Sequence, residues 1–158
     1  MVANQSESRD VIDKLAGAIG HDYVITDTAD REFYAMDVYS FRELPLAVVQ
    51  PGSLEDMVAV SRIAAEAGIA MVPRGGGASY TDAYLPDTPD SVLVDTSRMN
   101  NILEINETDM YVTVEPGVTW AELTAALTAR GLRTPFWGPF SGLKATVGGS
   151  TSQNSVSL

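Results

Sequence analysis

The residues with the greatest chemical potential are small ones. Pro73-Arg74-Gly75-Gly76-Gly77-Ala78-Ser79 places three consecutive glycines directly after an apolar run, Ala70-Met71-Val72. Glycine reaches backbone angles closed to other residues, so successive N–H groups can turn into one concavity and bind an anion with no side chain in the way. Ser79 adds a hydroxyl donor. The spacing excludes two better-known phosphate motifs. Tyr80 stands where a dinucleotide fingerprint needs its third glycine, and no lysine follows the glycines as a P-loop requires. Taken alone, the cluster reads as readily as a flexible turn. A second group, Thr146-Val147-Gly148-Gly149-Ser150-Thr151-Ser152-Gln153-Asn154, changes the balance. With Thr146 as a cap, its N–H groups would open a helix and favour negative charge; the plainer alternative is a frayed polar terminus. Two such clusters suggest a ligand with two phosphates held by backbone dipoles.

The elements that must position these clusters follow from periodicity and punctuation. Val11, Ile12, Leu15 and Ile19 repeat at helical spacing behind Ser8, a possible cap, and Gly20 is a stop. Tyr23-Val24-Ile25 reads as a short strand and Arg31 to Tyr34 as a helical turn. Ala47 to Gln50, a helix capped by Ser53 with Asp56 at the capping-box position, and Ala70 to Pro73 form a strand-helix-strand unit. Met57, Val60, Ala64 and Ala67 share that helix's apolar face, and Gly68 ends it. Ser91 to Asp95, Ile102 to Ile105 and Tyr111 to Glu115 read as three more strands. Thr119-Trp120-Ala121-Glu122 is a capping box, and Gly131 stops the helix it opens. The pattern predicts an α/β unit at residues 47–73 within a domain of at least five strands and three helices.

Composition narrows the function. The 158 residues carry 21 Asp and Glu against 10 Lys and Arg, a net charge of −11 that repels phosphate backbones and anionic lipid, so neither nucleic acid nor membrane is expected as a partner. Without cysteine there is no disulfide, thiolate metal site or cysteine nucleophile, and no metal site is expected. Met1 to Asp10 is polar, and a cytoplasmic location is the default reading. His21, the single histidine, reads as a surface residue; Asp95 and Glu115 read as strand-end or hydrogen-bonding carboxylates.

In its ordered motifs the sequence resembles the FAD-binding domain of the vanillyl-alcohol oxidase and p-cresol methylhydroxylase type, shared by glycolate and D-lactate dehydrogenases. The motifs are Val48-Val49-Gln50-Pro51, Pro73 to Ser79, Val92-Leu93-Val94-Asp95-Thr96-Ser97-Arg98-Met99, Val114-Glu115-Pro116-Gly117-Val118 and Ala145-Thr146-Val147-Gly148-Gly149. The resemblance covers roughly residues 44 to 155 and implies two α+β subdomains with FAD stretched between them. Pro73, Arg74, Gly75, Gly76, Gly77, Ala78 and Ser79 would cradle the pyrophosphate, and Pro139, Ser141, Gly142, Thr146, Gly148, Gly149, Ser150, Ser152 and Asn154 would line the rest of the cofactor. The stretch Thr134 to Gly142 would follow the flavin-side channel, unless its aromatics only pack a loop. Some relatives bind FAD through a histidine after the glycine loop; Ala78 stands there, so FAD is expected to be noncovalent at the loop.

The resemblance implies an FAD-dependent oxidoreductase that takes a hydride from a 2-hydroxy acid or related small alcohol substrate. Residues 1–43 are expected as a helical extension and 44–158 as an FAD-binding domain with its first subdomain complete and its second truncated. A missing C-terminal region or completing chain would then be a partner, and the 158 residues alone are expected to retain flavin weakly or not at all, without turnover. Relatives draw substrate-binding groups mainly from a later cap region, so no catalytic residue is named. The alternative is a noncatalytic module that holds FAD or an anion, or a subunit completed by another chain.

Overall fold

The structure, a computed structural model, describes residues 5–135, 138 and 142–155. The chain forms two compact units. Gly75–Ala78 belong with the stretch from Met99 onward, and the other residues before Met99 make up the first unit.

In the first unit α1 (Gln5–Ile19), a single 3-10 turn (His21–Tyr23), β1 (Val24–Ile25) and α2 (Thr28–Tyr34) precede β2 (Ala47–Val49), α3 (Leu54–Glu66), β3 (Ala70–Arg74) and β4 (Ser91–Asp95). The sheet runs β1-β2-β4-β3. β1 is antiparallel to β2, while β4 is parallel to β2 (Ala47 opposite Val92) and to β3 (Arg74 opposite Asp95). Every residue of β4 is buried, as expected of a central strand with parallel neighbours on both sides. Alternation divides its side chains between the faces. Val92 and Val94 join Ala47 and Val49 beneath α1 and α3, in one core with Val11, Leu15, Val60, Ala64 and Ile69; Val48 and Leu93 are buried outside that cluster. α1, within the stretch expected as an extension, thus supplies part of this core.

Local chemistry sets the helix ends, with three corrections. α1 begins at Gln5, so Ser8 lies inside it and does not cap it. The Ser53 hydroxyl accepts from the Asp56 N–H at 3.1 Å, but the Asp56 carboxylate turns to the N–H of Gly52, not of Ser53. Ala67 is exposed. The chain leaves α3 with Ile69 N–H donating to Ala64 and Gly68 N–H to Ala65, a closure that needs the positive φ of 66° at Gly68. Ile69, one turn on, takes the buried place expected of Ala67.

The second unit holds an antiparallel pair, β5 (Ile102–Asn106) and β6 (Tyr111–Val114), then α4 (Trp120–Thr128) and α5 (Val147–Ser152). A bulge between Ile102 and Glu104 shifts the alternation. Ile102 and Ile105 therefore both pack against Val118, Leu123 and Leu127. Both halves of the Thr119–Glu122 capping box are formed.

Candidate cofactor-binding site

Three parallel strands end on polar residues: β3 on Arg74, β4 on Asp95, and β2 just before Gln50. Asp95 is 3% exposed. Its carboxylate accepts from Gln50 Nε2 at 2.8 Å, from the Ser97 N–H and hydroxyl at 3.0 Å each, and from the Tyr34 hydroxyl at 3.2 Å. These bonds repay the cost of burying the charge. Tyr34's hydroxyl is pushed above the ordinary tyrosine range by burial first, then by the charge of Asp95 and its hydrogen bond. The Arg74 guanidinium lies over the rings of Tyr34 (4.8 Å), Tyr84 (5.1 Å) and Phe33 (5.9 Å). Its Nε is buried without an acceptor.

In the second unit the two small-residue clusters meet. A Cβ on Gly75 would run into Thr146 Oγ1 and reach the Gly149 Cα at 3.5 Å; one on Gly76 would overlap the Lys144 carbonyl oxygen. Gly77 has φ 63°. Among the described residues the N–H groups of Gly76 and Ala78 find no acceptor, so the loop keeps donors to spend. Backbone N–H groups with no acceptor among the described residues are what an anionic cofactor requires, and the Gly75–Ala78 loop fits the pyrophosphate of FAD.

The second cluster corrects the expected mode of contact. Thr146 does cap α5, its Oγ1 accepting from Gly149 N–H at 3.2 Å. The Val147 and Gly148 N–H groups already donate to the Val118 and Pro116 carbonyls. The first turn therefore has its donors consumed by the protein and is not a ready anion site. Gly148 is held against Pro116, whose Cβ would lie 2.6 Å from an added Cβ. The Ser150 hydroxyl accepts from Trp120 Nε1 at 2.8 Å. Ser152 and Asn154 are exposed, Asn154 with φ 47°. Gly142, φ 68°, packs against Trp120 and Ala121. Pro139 and Ser141 lie outside the described residues, as do Phe136, Trp137 and Phe140 in the expected channel stretch.

In the first unit the Ser79 hydroxyl is shared with Thr81 Oγ1 at 2.9 Å. Glu115 binds the Asn101 backbone and side chain, and His21 is exposed. Among the described residues no group of three or more His, Asp or Glu is placed to hold a metal, and no helix is long and apolar enough to cross a membrane. The sequence reading missed Tyr34 and Gln50. The signal was available for Gln50, since ligands of open α/β sheets gather at the carboxyl ends of parallel strands.

A family model described as an FAD binding domain matches residues 45–158. Glycolate oxidase subunit GlcD of Bacillus subtilis is 30% identical over 96% of this chain and 32% of its own length. D-2-hydroxyglutarate dehydrogenase of Pseudomonas putida is 36% identical over 80% of this chain and 12% of its own. The chain thus spans about a third or less of these relatives. Among solved structures, 4-ethylphenol oxidase from Gulosibacter chungangensis, in complex with isoeugenol, matches with TM-score 0.81 and 30% identity, covering 95% of this chain and 29% of that one. p-Cresol methylhydroxylase shares the fold, with TM-score 0.83 at 24% identity, over 95% and 30% of the two chains. The α+β fold is therefore of the p-cresol methylhydroxylase type, and the chain belongs to the FAD binding domain family.

Proposed function

We propose that the chain holds FAD, noncovalently at the glycine loop, and forms the cofactor-binding part of an oxidoreductase acting on a 2-hydroxy acid or related alcohol. The observation that carries this reading is the pair of N–H groups at Gly76 and Ala78 that find no acceptor among the described residues, in a loop where small residues leave the backbone bare. Gly75, Gly77 and Ala78 present the loop to the pyrophosphate, with Pro73, Arg74 and Ser79 flanking it. Thr146, Gly148, Gly149 and Ser150 buttress it, and Gly142, Ser152 and Asn154, with Pro139 and Ser141, line the rest of the cofactor. Bound FAD supplies the hydride acceptor; the protein binds it, orients it and excludes side reactions.

The names of the relatives support the substrate class: glycolate and D-2-hydroxyglutarate are both 2-hydroxy acids. Since the chain spans 32% and 12% of those two relatives, the groups that choose the substrate are expected from further polypeptide, in this chain or another. Calorimetric titration with FAD, ADP and riboflavin tests the cofactor reading. FAD and ADP should bind, and riboflavin, which lacks the pyrophosphate, should bind much more weakly. Equal affinity for FAD and riboflavin would refute it. With the completing polypeptide present, anaerobic addition of a 2-hydroxy acid should bleach the flavin; an unreduced flavin across a panel of such acids would leave a binding module.

A further inference from the structure

Arg74 and Asp95 are register partners on adjacent parallel strands, side by side, with opposite charges. Neighbours of this kind ordinarily attract each other. Among the described residues they form no ion pair. Tyr34 accounts for this, because its ring face lies 4.8 Å from the Arg74 guanidinium carbon while its hydroxyl donates to Asp95 at 3.2 Å. Gln50 and Ser97 supply three further donors to the same carboxylate. Oδ2 accepts three of these four donors and Oδ1 the Ser97 N–H, so the carboxylate is well satisfied without Arg74. The guanidinium lies among π-faces, hydrogen-bonded to the Tyr84 hydroxyl and to no carboxylate among the described residues, with a buried Nε that has no acceptor. Such faces attract a cation without cancelling its charge.

We propose that Tyr34 is a positioning residue that keeps the charge of Arg74 from being neutralised by Asp95, so that Arg74 receives a phosphate of the bound nucleotide. This rests on the FAD reading above and assigns it a fixed cation. In a chain with net charge −11, a positive group without a carboxylate partner matters to an anionic ligand that the rest of the surface repels.

The test is ADP titration of the unaltered chain and of Arg74→Gln, Tyr34→Leu, Tyr34→Phe and Tyr34→Leu/Asp95→Asn, with thermal denaturation to confirm that each folds. Arg74→Gln and Tyr34→Leu should weaken ADP about tenfold and make its binding less sensitive to salt. Tyr34→Phe, which keeps the ring, should stay within about threefold. Adding Asp95→Asn to Tyr34→Leu should recover most of the affinity, since no carboxylate is left to claim Arg74; a merely structural role for Tyr34 predicts no recovery. Unchanged affinity in Arg74→Gln, or no recovery in the double variant, overturns the proposal. Should Arg74→Gln fail to fold, the comparison of Tyr34→Leu with the double variant decides alone. Equal affinity of the unaltered chain for FAD and riboflavin overturns the cofactor reading and this inference with it, whereas ADP binding that is indifferent to Arg74→Gln overturns only the inference.

Discussion

The α-carbon of Gly76 rests on the carbonyl oxygen of Lys144, leaving no room for a Cβ. A glycine read from the sequence as bare for a phosphate is thus bare first for the protein's own backbone. Gly76→Ala should cost about 1–3 kcal/mol through overpacking, seen as a lower melting temperature without any ligand. Gly17→Ala is the contrast. Gly17 is exposed inside α1 with nothing within 4 Å of an added Cβ, and the change should stabilise by about 0.5–1 kcal/mol. A Gly76→Ala variant melting with the unaltered chain would show that the Lys144 contact yields freely.

Thr146 joins two tasks in one oxygen, capping α5 through Gly149 N–H and filling the space beside Gly75. Thr146→Val keeps the shape and removes the acceptor, and should cost about 1 kcal/mol; Thr146→Ser should stay close to the unaltered chain. Chemical denaturation that fails to separate the two variants would remove the cap from the account.

The noncovalent reading rests on Ala78, which has no atom able to bond a flavin methyl group. Acid precipitation of flavin-loaded protein should leave the colour in the supernatant. A flavin-bearing peptide containing residues 74–80 would be the contrary result.

Alkaline titration should show Tyr34 and Tyr84 ionising late. Burial leads in raising both Tyr34 and Tyr84, with Asp95 adding to Tyr34 and the charge of Arg74 opposing the rise in both. A group whose folded pKa is raised contributes stability that is fully present below its unfolded pKa, about 10, and lost as pH rises through the folded value. Two late-titrating phenols are therefore expected, and their contribution to stability is lost on the alkaline side. Arg74→Gln should move Tyr34 higher still, and ultraviolet difference spectra follow each step.

Much of the local structure was legible because its determinants are close in sequence. The Ser53, Thr119 and Thr146 caps each accept from an N–H three residues on, and Gly68 and Gly131 stop their helices with positive φ. What escaped depends on distant partners. That α5 has no donors to spare follows from the Val118 and Pro116 carbonyls, some thirty residues earlier in the chain. The hydrogen bonding of Asp95 draws on Tyr34 and Gln50, which belong to α2 and to the end of β2. The meeting of Gly75 with Thr146 was reached through family resemblance; no spacing in the sequence encodes it.

The order β1-β2-β4-β3 carries a consequence for how the first unit comes into being. β2 and β3 are made first, with α3 between them, yet neither pairs with the other; the slot between them waits for residues 91–95. Until β4 is synthesised and inserted, both strands have an apolar edge open, the condition in which nascent chains aggregate or engage chaperones. Ser91–Asp95 acts as a keystone: assembly of the sheet is delayed to its arrival, and damage to this one strand undoes both of its neighbours together.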